Sequence, residues 1–354
     1  MESCHVTAVE HVLFRELREQ PQAIRETVDA EIDEVDQTSR LLKGRRIHFL
    51  GMGSSYFASL YGSYLLVELT RTVATAHIAS EFAHYPPAIA ANEASVVLSQ
   101  SGESVETIRA VRLLKKKGTF IVGVTNEAGS TLATLADRVL LMHAGKEKAS
   151  STKTFASTLT ILFCLVVALA AQTKEMDERK KDLLIERMVR MTRTLDASLE
   201  SWNNDTRSQS GKFAKCRAAM VLARGPNLAA ALQGALLLKE VAKIPAEGMS
   251  SGEFAHGPVE MVSRRISVVV LGGGRTSKLQ YQLALRSKTL GANTLMVAPS
   301  EARNMDSICY GKIDENLAVF PSAMILELLA YHTGVKRKLN PDHFKFIEKV
   351  TTHE

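Results

Sequence analysis

The chain has 354 residues, 45% of them hydrophobic and 23% charged, which excludes wholesale disorder and fits two domains of about 150 residues each. Lys and Arg number 44 against 38 Asp and Glu, so the net charge is +6. Over this length that is mild, and it suits an anionic small molecule as well as nucleic acid.

The four cysteines, Cys4, Cys164, Cys216 and Cys309, are far apart and form no CxxC metal pair. A disulfide-stapled secreted domain would use many more, so a reducing, cytoplasmic setting is expected. No apolar signal segment opens the sequence. The apolar run from Ser157 to Ala171 is shorter than the roughly 20 residues that span a bilayer. It reads as a buried helix, with no membrane association expected.

In chain order, residues 1–40 have helical spacing, divided at Pro21. A strand at 45–50 leads into the turn from Gly51 to Ser55 and a helix over 56–69. A strand at 94–98, a turn at 99–104, an amphipathic helix over 105–117 and a strand at 120–124 follow. The second half repeats this plan: strand 218–223, turn 224–227, helix 228–243, strand 266–271, turn 272–277, helix 278–290, strand 294–297. Gly53 and Gly225 are 172 residues apart, and Leu98 and Leu271 are 173 apart. Matching offsets of this kind predict a duplicated α/β unit with mainly parallel sheets. A polar helix over 174–199 joins the halves, and an apolar helix at 323–331 precedes a basic tail.

Three hydroxyl-rich loops stand out in the first half. Ser99, Ser101 and Ser104 surround Gly102 between a strand and a helix, where free backbone N–H groups and a partial positive charge favour an anion. The plain alternative is a loop with a serine N-cap. Ser54 and Ser55 occupy the same setting after the first strand. The segment from Gly145 to Lys153 adds two serines, a threonine and three lysines, and reads otherwise as a solvated, helix-capping loop. In the second half, Glu240 is a carboxylate on an otherwise apolar helix, suited to a general base. Its alternative is an ion pair with Lys239 or Lys243. His256 lies 16 residues on, in a loop shaped by Gly252, Gly257 and Pro258, and as a lone loop histidine reads equally as polar surface.

Taken in order, Ile78–Phe82, Ser99–Ser104, Ser151–Lys153, Leu238–Glu240, Gly252–Pro258 and the tail Lys349–Glu354 resemble the double sugar-isomerase (SIS) family, in particular the isomerase half of glucosamine-6-phosphate synthase. The resemblance covers nearly the whole chain. It implies two SIS-type α/β domains, each a parallel sheet sandwiched by helices: a helical lead-in over 1–35, domains at 36–175 and 211–330, a connecting helix over 176–210, and a tail over 331–354 that closes the active site. It implies a sugar-phosphate loop of Ser99, Gln100, Ser101 and Ser104 with Ser55 beside it, and Ser151 against the sugar. Glu240 would move the proton between C1 and C2. His256 would open the sugar ring from a neighbouring subunit of a homodimer, and Lys349 would close over the open-chain sugar. No metal or organic cofactor and no nucleic acid is implied.

Two departures set the expected chemistry. No stretch matches the glutaminase half of the synthase, and Cys4 does not match its catalytic cysteine. Leu237 stands where that family has a lysine. The expectation is therefore deamination of an amino-sugar phosphate, such as glucosamine 6-phosphate to fructose 6-phosphate and ammonia. The alternatives are deglycation of a fructosamine 6-phosphate, or a non-catalytic sugar-phosphate sensor, against which Glu240, His256 and Lys349 stand together.

Overall fold

The computed structural model describes residues 10–346. Helices α1 (Val12–Arg18) and α2 (Gln20–Leu42) open the chain and lead to β1 (Ile47–Gly51), α3 (Ser54–Thr70), β2 (Ala74–Ile78) and the short α4 (Ala79–His84). Next come β3 (Ala94–Leu98), α5 (Val105–Lys116), β4 (Phe120–Thr125), α6 (Thr131–Leu135) and β5 (Arg138–Leu141). Two long helices, α7 (Lys153–Gln172) and α8 (Glu178–Ala214), cross to the second half. That half holds β6 (Ala218–Ala223), α9 (Leu228–Glu240), β7 (Ala246–Ser250), α10 (Ser251–Ala255), β8 (Ile266–Leu271), α11 (Ser277–Thr289), β9 (Asn293–Ala298), β10 (Asp306–Cys309) and α12 (Val319–Lys336).

Both sheets are fully parallel, with orders β2-β1-β3-β4-β5 and β7-β6-β8-β9-β10. The two orders correspond strand for strand, which is the duplication that the repeated offsets predict. The central strands β1, β3 and β8 are buried at every residue, as strands covered on both faces must be. A single apolar core lies between the sheets, filled by α3, α7, α9 and α12, while smaller cores lie under α4 and α5 and under α10 and α11.

Several boundaries differ from expectation. The first helical stretch divides at Glu19 and not at Pro21, because a proline in the first helical turn forgoes no hydrogen bond. Helix α9 ends at Glu240, three residues early, and α8 runs fifteen residues beyond the expected end. The edge strands β2, β5, β7 and β10 were not expected.

Two helical stretches, Lys153–Gln172 and Glu315–Lys336, are long and apolar enough to cross a membrane, yet they are 94% and 89% buried within the fold. Every residue of α7 from Lys153 to Ala170 is covered by protein. An all-round apolar helix is what such a central position requires. The thiol of Cys164 on α7 is pushed up to about 12 by burial, and Cys216 and Cys309 are also raised, first by burial, so none is a ready nucleophile.

Glu327 on α12 is fully buried, accepting a 2.6 Å hydrogen bond from Gln20 Nε2 while its other oxygen has no partner. Burial, reinforced by the charge of Glu147, pushes its carboxyl up to about 8. Between the ordinary value of 4.5 and about 8, the folded chain keeps a proton that the unfolded chain releases. Stability must therefore fall with rising pH across that window, by about 1.4 kcal/mol per unit. Glu327→Gln is expected to gain in melting temperature over the parent progressively from pH 5 to 8 and to hold a constant lead above 8. Parallel melting curves across this range would show that Glu327 is not held protonated.

Candidate active site

At the reversal point of the first sheet, the chain leaves β1 for a helix on one face and β3 for a helix on the other. The N-termini of α3 and α5 therefore approach one crevice outside the strand ends, the usual ligand position in such sheets. Neither helix has a side-chain N-cap. The expected alternative, a serine cap, does not hold: Ser104 is the N-cap residue of α5, but its hydroxyl accepts no capping hydrogen bond. At α3, Ser55 N and Tyr56 N donate to Met52 O at 3.0 and 3.4 Å; the positive end of each helix dipole, about half a charge, makes the crevice anion-seeking.

A cavity of about 170 Å³ occupies it, lined by Ser54, Ser55, Ser99, Gln100, Ser101, Ser104, Ser151 and Glu240, among others. Seven of the residues that the sequence singles out, Ser55, Ser99, Gln100, Ser101, Ser104, Ser151 and Glu240, are thus brought together. Their positions have local causes. Gly102 has φ +65°, and a Cβ there would lie 2.2 Å from Ser130 Oγ, so only glycine lets the loop pass. Ser99 Oγ accepts from Gly102 N at 3.1 Å, and Ser101 Oγ accepts from Glu103 N at 3.2 Å. The Glu103 carboxylate accepts from Thr131 N and Oγ1 at 2.6 and 2.8 Å, tying the loop to α6.

Among the lining residues, Thr107 is not singled out in the sequence, and Ser150 only as one of the two serines of its loop. Thr107 and Ser150 are buried, and the hydroxyl oxygen of each lacks a partner. A buried orphan hydroxyl costs about 1–3 kcal/mol unless a ligand meets it. The available signal for Thr107 was its spacing, three residues after Ser104 on the same helical face.

The loop after β5 is not a solvated surface segment. Glu16 accepts from Lys148 N and Ala149 N at 2.6 and 3.1 Å. Glu147 accepts from Thr152 N and Thr154 N, capping α7 from within the loop. Gln233 of α9 donates to Ser151 O at 2.6 Å. Lys153 turns away from the cavity to Glu19, at 2.5 Å.

Glu240, the last residue of α9, is half-buried and crosses to the first half because α9 packs on α3. Lys243 donates to the backbone carbonyl of Glu240. Leu237, one turn earlier, is fully buried in the core and does not line the cavity. His256 is not brought to the cavity: it is exposed, at the end of α10. Phe344 lines the cavity from the segment after α12, which Asp342 ties to the start of α1 by accepting from Val12 N and Leu13 N, both at 2.8 Å. Lys349 lies outside the described residues. Among the described residues, no group of three or more His, Cys, Asp or Glu is placed to hold a metal.

Known proteins resemble this chain in sequence and in fold. The family described as SIS domain matches residues 40–168 and 212–325. The glutamine–fructose-6-phosphate aminotransferase (isomerizing) of Pyrococcus horikoshii is 32% identical over 352 residues, covering 98% of this chain and 58% of the relative. That of Gloeobacter violaceus is 30% identical over 359 residues, covering 97% and 59%. The chain thus spans under two thirds of the length of these relatives. The C-terminal domain of glucosamine-fructose-6-phosphate aminotransferase from Francisella tularensis superposes with a TM-score of 0.88 at 22% identity, covering 94% of this chain and 98% of that one. Glucosamine-6-phosphate deaminase from Thermotoga maritima superposes at 0.75 with 21% identity, covering 96% and 99%. At these identities the superpositions show a shared fold.

An anion at the start of α5 would engage Ser101 and Thr107. Ser101→Ala and Thr107→Val are each expected to weaken binding of a sugar phosphate, measured by titration calorimetry, by about 1–3 kcal/mol. Unchanged affinity in both variants would move the anion away from α5.

Proposed function

The chain belongs to the SIS-domain family, and on that premise we propose that it is a phosphosugar enzyme that converts an amino-sugar phosphate to a ketose phosphate and ammonia, as in glucosamine 6-phosphate to fructose 6-phosphate. The observation that carries this reading is the meeting in one cavity of the serine loops of the first half with Glu240 of the second. The uncapped starts of α3 and α5, with Ser55, Ser99, Gln100, Ser101 and Ser104, take the phosphate. That leaves the sugar carbons towards Ser151 and Glu240.

Chemistry at C1 and C2 then needs one base. Glu240 takes the C2 proton of the open-chain aldose, and the electron pair forms an enolamine. Return of the proton to C1 gives a ketimine, which water hydrolyses to the ketone and ammonia. The base and the acid are the same carboxyl at successive moments, which is the efficient use of a positioned group. His256 serves ring opening or the leaving nitrogen from a neighbouring subunit of a homodimer, since its own chain leaves it exposed and away from the cavity. Lys349 closes over the open-chain sugar.

Glu240→Gln keeps the shape and removes the base, so turnover should fall by about two to four orders of magnitude. Sugar-phosphate affinity should stay nearly unchanged, because the phosphate loops lie in the other half. Mixing Glu240→Gln with His256→Asn should restore part of the activity in hybrid dimers, each holding one intact composite site. Assays should compare ammonia release from glucosamine 6-phosphate with glucose 6-phosphate release from a fructosamine 6-phosphate. Predominance of the second would replace deamination by deglycation. Full activity in Glu240→Gln would remove the proton-transfer mechanism.

A further inference from the structure

The duplication places a second reversal point between β6 and β8, equivalent to the one that holds the cavity between β1 and β3. Its loops have anion-binding character. Gly272, Gly273 and Gly274 lead into α11, a 13-residue helix whose N-cap Thr276 makes no side-chain cap. Gly273 and Gly274 have φ +127° and +61°, so the backbone lies open. Yet the void there is only about 10 Å³.

A carboxylate fills the place. Glu315 stands six residues after the end of β10, just as Glu147 stands six after the end of β5. The two behave oppositely. Glu147 lines the first cavity but is turned to the start of α7, accepting from Thr152 N at 2.9 Å, and the cavity keeps about 170 Å³. Glu315 reaches over the loop that starts α11, accepting from Arg275 N at 3.3 Å and Arg275 Nε at 3.2 Å. A Cβ on Gly274 would lie 2.1 Å from Glu315 Cδ, so the carboxylate rests directly on the loop backbone. Arg275 also pairs with Glu68 of α3, holding the arrangement against the first half. A second, independent sign of a ligand position lies in the same void. Asn227 lines it, is only 9% exposed, and its Oδ1 has no partner.

We propose that the second reversal point is a latent phosphomonoester site, kept shut by Glu315 acting as an internal ligand. A phosphate there takes the position of the carboxylate against Arg275 and the start of α11. Its hydroxyl, or one from the attached molecule, meets the orphan oxygen of Asn227. The occupied cradle confines phosphorylated substrate to one of two equivalent sites. Nothing in the proposed reaction uses this crossover.

The test counts inorganic phosphate bound per full-length chain by equilibrium dialysis. Glu315→Ala is expected to bind one more phosphate than the parent, and Arg275→Ala added to it should weaken that extra binding about tenfold or more. The increment over the parent is read, so the result is independent of what the first cavity binds. Glu315→Gln, which fills the space without the charge, should show no extra site. Phosphate should also raise the melting temperature of Glu315→Ala more than that of the parent, a readout that survives if the variant is destabilised. An unchanged phosphate count together with an unchanged phosphate-dependent shift in Glu315→Ala would overturn the proposal, as would extra binding that does not respond to loss of Arg275, which marks an adventitious ion only.

Discussion

Unpaired backbone N–H groups at helix starts are the constraint on which the rest of this structure turns. A parallel sheet needs helical crossovers, and every crossover helix begins at the carboxyl end of a strand. At a reversal point two such helices start side by side on opposite faces. Their first-turn donors must be met by a cap, by solvent or by a ligand. In the first half, α3 and α5 have no side-chain cap, and hydroxyls gather around them. Three other helices meet the same demand from within the chain. Ser130 caps α6, Asp177 caps α8, and Asp342 bonds the first two N–H groups of α1. What sets the starts of α3 and α5 apart is that they face one cavity in which hydroxyls gather.

What the sequence discloses follows burial. The central strands β1, β3, β4, β6, β8 and β9 are apolar runs next to glycine- or serine-rich turns or amphipathic helices, so they are legible. The edge strands ATAHI, RVLL, AEGMS and DSIC mix charge and polarity, because only part of each is covered. Nothing in their pattern separates them from loops. Helix ends are similarly faint: α9 stops at Glu240 because the next residues turn, with Lys243 at φ +53°, although the apolar pattern continues through Val241 and Ala242.

The candidate site was readable where chemistry-bearing residues cluster in sequence and obscure where only the fold gathers them. Ser99–Ser104 announces itself as a loop. Thr107, inside a helix, looks like any threonine until its hydroxyl is found buried without a partner. Glu147 sits in a lysine-rich segment that reads as solvated, yet it is buried and organises the loop that carries Ser151. Glu327 is hidden in an apolar helix, where a sequence pattern offers no hint that Gln20, 307 residues away, will be its partner.

Duplication explains both the resemblance of the halves and their divergence. Each inherits a reversal point, and each has a glutamate six residues past its last strand. In one half that glutamate serves the helix that follows, and the crevice stays open. In the other it serves the helix across the crevice, and the opening closes. The half with the closed crevice then contributes in another way: α9, packed on α3, brings Glu240 to the neighbour's cavity. Base and cradle thus come from different copies and meet in one cavity, which Glu147 of the first half also lines.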